Sequence, residues 1–133
     1  MAAETRVAIA SEADIVIARQ KGRELAVARG FTSTEQTLIA TAISEIARNI
    51  VEYAKRGEIS LSTIERSGRR GLMVVAEDQG PGIRDPSLAM RDGYSTTRSL
   101  GMGRPGARRL MDEFELDTIV GKGTTITMKK WVR

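Results

Sequence analysis

The sequence predicts an α+β fold, a two-layer α/β sandwich with helices on one face of a mixed, mostly antiparallel sheet. Three observations predict it. Two helical segments follow a short first strand, two strand segments joined by a turn come next, and two more strands close the chain after a long polar stretch. The resulting order, β-α-α-β-β-loop-α-β-β, favours helices packed together on one side of a sheet.

The two long helices are predicted from their caps and their apolar spacing. Ser11 is placed to cap the first helix, and Gly30 is placed to end it. Ser33 and Gln36 form a capping-box pattern for the second helix, which then continues towards Gly57. The apolar face of this second helix recurs at steps of 4, 3, 4 and 3 residues, at Ile39, Ile43, Ile46, Ile50 and Tyr53.

The first three strands are predicted from alternation and from an apolar run. Residues 6–10 are strand-like, and residues 59–63 alternate as a half-buried strand does. Residues 67–71 supply turn chemistry. The continuously apolar run at 72–76 then predicts a central strand that is buried on both faces.

The last third of the chain begins with a polar stretch, residues 85–103, that is too long for a simple turn. Pro105 suits the first position of a helix that continues to about Phe114. Two final strands, residues 116–120 and 124–132, flank a tight glycine turn at 121–123.

Composition excludes several kinds of chemistry. Among the 133 residues there is no cysteine, which excludes disulfides, thiolate metal sites and a cysteine nucleophile. There is no histidine either, which removes the commonest general base and any phosphohistidine acceptor within this chain. The net charge of +4 comes from basic residues that are mixed with acidic ones, and only five aromatic residues are present, so we expect no nucleic-acid partner.

Length and hydropathy predict one globular domain over residues 1–133, with 41% hydrophobic residues to build its core. The first 13 residues contain no apolar run that is typical of a signal peptide. No apolar stretch of 18 residues follows, so we expect no membrane span and a cytoplasmic protein.

Glu45 and Asn49 lie one helical turn apart, on the flank of the isoleucine face. They border the edge of the core, where a ligand cleft can form. A carboxylate and a neutral amide oxygen supply the oxygen chemistry that Mg²⁺ prefers beside phosphates. An isolated Glu-x-x-x-Asn is more often a pair of ordinary exposed residues, so this pair alone is a weak signal.

Asp78 follows the predicted central strand, where its carboxylate can accept hydrogen bonds from the amine of a ligand. Gly80 and Gly82 allow the backbone to approach a ligand closely, and Pro81 stiffens the loop between them. Such a turn is also common between strands that bind nothing.

Residues 101–106 form a GxGxxG pattern, and two familiar interpretations of it fail. A dinucleotide-binding loop follows a strand directly, whereas this one follows a polar stretch. A Walker A loop requires Gly-Lys-Ser/Thr, whereas Gly106 precedes Ala107. Free backbone N–H groups at a helix start still favour an anion such as triphosphate. Arg98 and Arg104 would add positive charge, or are simply solvated surface residues.

The order of these motifs resembles the GHKL, or Bergerat-fold, ATP-binding family. Its N box corresponds to residues 45–49, its G1 box to 78–82, its G2 box to 101–106 and its final glycine-threonine element to 121–125. The resemblance implies a Bergerat-type ATP-binding fold.

A closer resemblance is to the RsbT-type switch-protein serine kinases of bacterial stress-response modules, the stressosome. It is carried by residues 44–49, 76–83, 92–96 and 109–114, and it extends over nearly the whole chain. Residues 92–104 would then form the ATP lid. The family usually has an apolar residue where this chain has Arg104.

This resemblance implies a role for each matching residue. Glu45 would polarise the attacking hydroxyl, Asn49 would bind Mg²⁺, and Asp78 would hold the adenine amino group. Thr124 or Thr125 would assist near the base. The further positions implied to contact ATP are Gly80, Gly82, Ile83, Thr96, Arg98, Gly101, Met102, Gly103, Arg104 and Gly106.

The function implied by the resemblance is that of an ATP-dependent, Mg²⁺-requiring serine/threonine protein kinase. Such kinases phosphorylate a STAS-domain antagonist protein and, when released, activate a PP2C-type phosphatase. The lack of histidine favours an acceptor on a separate protein over a histidine kinase. Two alternatives stay open: an anti-sigma-factor kinase of the same fold, and a non-catalytic nucleotide-gated binding module.

Overall fold

A computed structural model of the chain describes residues 4–79, 106–119 and 123–133. A π-helical turn, Ile50–Ala54, extends the second helix, and residues 106–110 are helical. The longer elements are β1 (Glu4–Ile9), α1 (Glu12–Arg29), α2 (Ser33–Asn49), β2 (Gly57–Arg66), β3 (Arg69–Asp78), β4 (Glu113–Ile119) and β5 (Gly123–Trp131).

The five strands form one sheet in the order β1-β2-β3-β5-β4. All four pairings among these described strands are antiparallel. Helices α1 and α2 pack against each other and against the sheet, and the core lies between the two layers. The predicted two-layer α+β fold with a mostly antiparallel sheet is therefore confirmed.

The central strand β3 corrects one prediction. Leu72 and Val74 are fully buried, whereas Met73 and Val75 are only half-buried. The strand is thus buried deeply on one face rather than on both, because the described helices cover a single face of the sheet. Its turn to β2 is also shorter than predicted: Ser67 and Gly68, with φ of 54° and 79°, complete a two-residue hairpin loop.

The predicted caps of α1 are present, and the predicted cap of α2 is shifted by one residue. Ser11 is the N-cap of α1. Gly30, which adopts the left-handed conformation with φ of 96°, is the C-cap that ends the helix. In α2 the capping box is Thr32 with Glu35: Glu35 N–H donates to Thr32 Oγ1 at 3.2 Å, and Thr32 N–H donates to Glu35 Oε1 at 3.0 Å. Thr32 is extended, so the predicted cap Ser33 is already helical.

The ends of two helices also differ from the predictions. The α-helical part of α2 stops at Asn49, and the π-helical turn carries the chain to Lys55, whose φ is 74°. Residue 112 already donates its N–H to the Lys129 carbonyl at 2.9 Å, and Glu113 begins β4. The helix predicted to continue to about Phe114 is therefore too long, because pairing with β5 takes these residues into the sheet.

The described residues contain no helix with the length and apolar character that crossing a membrane requires.

Candidate active site

Five residues form one row across the sheet at the end of β3: Ile9, Gly57, Asp78, Thr124 and Thr118. We call this the Asp78 row. Ile9 is fully buried and Thr124 is 4% exposed, so the row lies on the face that the helices cover. The central carboxylate of the candidate site is thus held by the strand register on the helix side of the sheet.

Gly57 allows the end of α2 to approach Asp78. A Cβ atom at Gly57 would overlap the Glu77 carbonyl, and it would lie 3.0 Å from Ile50 Cγ2 and 3.1 Å from Asp78 Cβ. Ile50 directly follows Asn49 in the chain. The absence of a side chain at Gly57 therefore lets the segment that carries Asn49 pack beside the segment that carries Asp78.

Gly123 makes a second close approach in this region. Its φ is 137°, and a Cβ atom at this position would overlap the Asp78 carbonyl and lie 2.9 Å from Gln79 Cα. Both the backbone conformation and the available space therefore require glycine here. Gly123 fixes the start of β5 against the end of β3.

Asn49 is buried beside Glu45 and has an unsatisfied oxygen. The side chain of Asn49 donates through Nδ2 to the Glu45 carbonyl at 3.1 Å, and the residue is 3% exposed. In the part of the chain that the structure describes, Asn49 Oδ1 has no hydrogen-bond partner. A buried acceptor without a partner costs about 1–3 kcal/mol, so it calls for an explanation in terms of a ligand.

Glu45 lies at the solvent border of the same helix face. Its side chain is 33% exposed, and its Oε1 accepts a hydrogen bond from Arg48 Nη1 at 3.4 Å. The predicted Glu45–Asn49 pair is therefore divided, with the carboxylate near solvent and the amide in the interior.

The two candidate threonines lie on opposite faces of β5. Thr124 pairs with Asp78 in the row, and its Oγ1 lies 3.0 Å from Thr118 Oγ1. Thr125 pairs with Glu77 and, by strand alternation, lies on the other face. Thr118 was not predicted as a site residue, although alternation along β4 places it on the inward face.

Asp78 lines two cavities that are bounded by described residues. The larger has a volume of about 740 Å³ and the smaller about 160 Å³. Among the described residues, Glu45 and Asn49 line neither cavity. The larger is lined by Ala8, Ile9, Ala10, Ala54, Arg56, Gly57, Glu58, Glu77, Asp78 and Gln79, and the smaller by Asp78, Asp117, Ile119, Gly123, Thr124 and Thr125.

Among the glycine-rich candidate positions, Gly106 lies within the described residues. Gly106 begins the described helical residues, and apart from its chain neighbours and its own helix backbone no described atom lies within 4 Å of a Cβ added to it. Ala107 is fully buried, and buried Lys130 donates to the Leu110 carbonyl at 2.9 Å, which fixes this short helix to β5. Outside the described residues lie Gly80, Gly82, Ile83, Thr96, Arg98, Gly101, Met102, Gly103 and Arg104.

Among the described residues, two groups outside the Asp78 row have shifted pKa values. The hydrogen bond from Trp131 Nε1, at 2.6 Å, lowers the pKa of Glu113, and the nearby Arg66 acts in the same direction. The hydrogen bond to Glu4 raises the pKa of Arg6. These shifts come from side-chain contacts between strand residues.

Comparison with known proteins identifies a matching family and similar sequences. Residues 9–130 match the family model described as a histidine kinase-like ATPase domain. Serine/threonine-protein kinase RsbT of Bacillus subtilis (strain 168) is 51% identical over 127 residues, which cover 96% of each chain. The anti-sigma F factor of Thermoanaerobacter sp. (strain X514) is 32% identical over 99 residues, covering 71% of this chain and 68% of that protein.

A similar solved structure is that of the RsbU and RsbW domains of a Mycobacterium tuberculosis protein. The TM-score is 0.66 at 19% sequence identity, and the match covers 98% of this chain. The chain spans about a third, 32%, of the length of that structure. At this identity the likeness concerns the fold alone.

Proposed function

Because the chain belongs to the histidine kinase-like ATPase domain family, we propose that it is an ATP-dependent serine/threonine kinase that regulates partner proteins by phosphorylating a STAS-domain antagonist. The family and the kinase class predicted from the sequence are confirmed by the match over residues 9–130 and by 51% identity to a serine/threonine kinase. The observation that carries the site assignment is the buried Asn49 Oδ1, which has no hydrogen-bond partner among the described residues and lies on a segment packed beside Asp78.

Asn49 is the candidate ligand for Mg²⁺. Its Oδ1 is buried and available, while its Nδ2 is fixed by the Glu45 carbonyl, so the amide oxygen is oriented before any ion binds. Mg²⁺ commonly uses one or two protein oxygens together with phosphate oxygens and water. Among the described residues no group of three or more acidic side chains could hold a metal, which fits a site completed by ATP. Bound Mg²⁺ would neutralise charge on the phosphates.

Asp78 and Thr124 are the candidate adenine contacts. They are paired across β3 and β5, and the buried Thr124 hydroxyl is held by Thr118 at 3.0 Å. A carboxylate accepts from an amino group, and a hydroxyl can bridge to a ring nitrogen directly or through water. Thr125, which pairs with Glu77 on the opposite face, is not proposed for this role.

Glu45 is the candidate general base. The acceptor hydroxyl oxygen would form a bond to the γ-phosphorus as the bond between that phosphorus and the bridging β–γ oxygen breaks, with ADP leaving. The hydroxyl proton would pass to the Glu45 carboxylate and then to water. A side chain that is 33% exposed can be reached by a hydroxyl on another protein, which agrees with an acceptor in trans.

The proposed partners are a STAS-domain antagonist as substrate and a PP2C-type phosphatase that is activated by the released kinase. Support comes from the similarity to a kinase named RsbT and to anti-sigma F factors. We also propose a cytoplasmic location and no nucleic-acid or membrane partner. The 32% identity to an anti-sigma F factor favours one alternative target, a sigma factor.

The test is phosphoryl transfer from Mg-ATP to a purified STAS-domain protein, followed by mass spectrometry for phosphoserine and phosphothreonine. Asp78→Asn should weaken ATP binding, whereas Glu45→Gln should mainly lower kcat. Tight ATP binding without any transfer would instead support a nucleotide-gated binding module. Competition between the STAS-domain protein and a sigma factor in a pull-down shows which of these two proteins is the preferred target.

A further inference from the structure

Arg48 lies beside Glu45 on the exposed side of α2. Its Nη1 donates to Glu45 Oε1 at 3.4 Å, and its side chain is 44% exposed. On the other side of Glu45, Asn49 is buried and donates to the Glu45 carbonyl. One turn of helix thus presents an inward amide, a carboxylate at the border and an outward guanidinium.

We propose that Arg48 is a positioning residue for Glu45, holding the carboxylate where it accepts the proton of the acceptor hydroxyl. Within the described residues, the Glu45 carboxylate accepts its hydrogen bond from Arg48 Nη1. A glutamate side chain that is one-third exposed samples several rotamers unless a partner limits them. The inference rests on the proposed function, because Arg48 is given a role only through Glu45.

The rate of proton transfer depends on how well the Glu45 side chain is held in position. A general base must lie within about 2.6–3.2 Å of the hydroxyl it deprotonates, and a misplacement of about 1 Å can cost on the order of 100-fold in rate. As a surface ion pair the same contact contributes little to stability. Removing Arg48 should therefore change turnover far more than folding.

The experiment measures steady-state phosphorylation of a purified STAS-domain antagonist and, without acceptor, the release of ADP by hydrolysis. Arg48→Ala should lower kcat by roughly 10-fold with an unchanged KM for ATP, because the base is misplaced but the nucleotide contacts remain. Arg48→Lys should recover part of the loss, since it keeps a donor and the charge. The melting temperature should move by less than about 2 °C. Arg19→Ala, an exposed arginine of α1, is the matched control.

A double-mutant cycle identifies the route of the effect. If Arg48 acts through Glu45, then Arg48→Ala should cause no further loss in a Glu45→Gln background. An additional loss there, together with a raised KM for ATP, would show that Arg48 contacts the nucleotide and would overturn the positioning role. Wild-type turnover in Arg48→Ala, beside an impaired Glu45→Gln, would overturn this inference alone. Full activity of Glu45→Gln would overturn both this inference and the base assigned above.

Discussion

Replacing Asn49 by leucine should stabilise the unliganded protein while removing its response to Mg-ATP. Leucine has the same branching at Cγ, so it fills the buried site without the oxygen that lacks a hydrogen-bond partner among the described residues. Removing the unsatisfied oxygen should raise the free energy of unfolding by about 1–3 kcal/mol, and losing the hydrogen bond from Asn49 Nδ2 should lower it by about 0.5–1.5 kcal/mol. The better helix propensity of leucine adds a few tenths, roughly 0.3–0.5 kcal/mol. The net expectation is about 1 kcal/mol of added stability, or roughly 3 °C in melting temperature.

The assay is thermal unfolding of Asn49→Leu and the wild type, each with and without Mg-ATP. At a concentration near 100 times its Kd, a ligand stabilises the folded state by about 2.7 kcal/mol. The wild type should show such a shift and Asn49→Leu should lose most of it. Ser44→Ala is the matched control, because Ser44 is also buried on α2 but its hydroxyl donates to the Ala40 carbonyl at 2.9 Å.

Ser44→Ala should lower stability slightly and keep the response to Mg-ATP. If the unliganded Asn49→Leu variant were instead destabilised by more than about 1 kcal/mol, Asn49 would be a structural residue whose oxygen has a partner. That result would refute the assignment of Asn49 to the metal.

Three further predictions concern the sheet. Gly123→Ala should lower the free energy of unfolding in urea by about 2–4 kcal/mol, because the new Cβ is strained at φ 137° and overlaps the Asp78 carbonyl. The control Gly68→Ala should cost less, because Gly68 has φ of 79° but open space around it. An equal loss of stability in the two variants would contradict the close approach of Gly123 to the Asp78 backbone. Thr124→Val should weaken ATP binding in calorimetry while Thr125→Val should not, and the reverse order would remove Thr124 from the site. Glu113 has a lowered folded pKa, so its contribution to stability is present above its ordinary value of 4.5 and is lost as pH falls through the folded pKa. Glu113→Gln should therefore reduce the loss of stability on acidification in urea titrations, and an unchanged acid limb would refute the linkage.

Local patterns predicted the elements well and their ends poorly. Two overlapping pairs fit the same capping pattern, Thr32 with Glu35 and Ser33 with Gln36, so spacing alone does not choose between them. Buried Phe31 anchors the chain just before the helix and leaves Thr32 as the extended residue. The choice depends on tertiary packing that a short window does not contain.

The same limit explains the helix that was predicted to reach Phe114. The apolar residues near position 110 fit a helical face and the start of an alternating strand equally well. Phe114 pairs with Met128 in the register of β4 with β5, and this pairing places Phe114 in a strand rather than a helix. Such a pairing connects residues distant in sequence, so propensity cannot reveal it.

For the candidate site, the sequence identified the residue types but not their partners. Glu45, Asn49 and Asp78 are recognisable by motif order. That Gly57 and Gly123 lie against Asp78 emerges only when β2 and β5 are placed beside β3. The roles assigned to these residues remain predictions.

The most direct test of the central claim is transfer of the γ-phosphate of labelled ATP to a STAS-domain antagonist by the wild type and by Glu45→Gln. The wild type should place label on a serine or threonine of the antagonist in a Mg²⁺-dependent reaction. Glu45→Gln should bind ATP with similar affinity and transfer label at least 100-fold more slowly, as expected for a general base that contributes about 10²–10⁴-fold. Equal transfer by both proteins, or no transfer by the wild type while ATP is bound, would contradict the account.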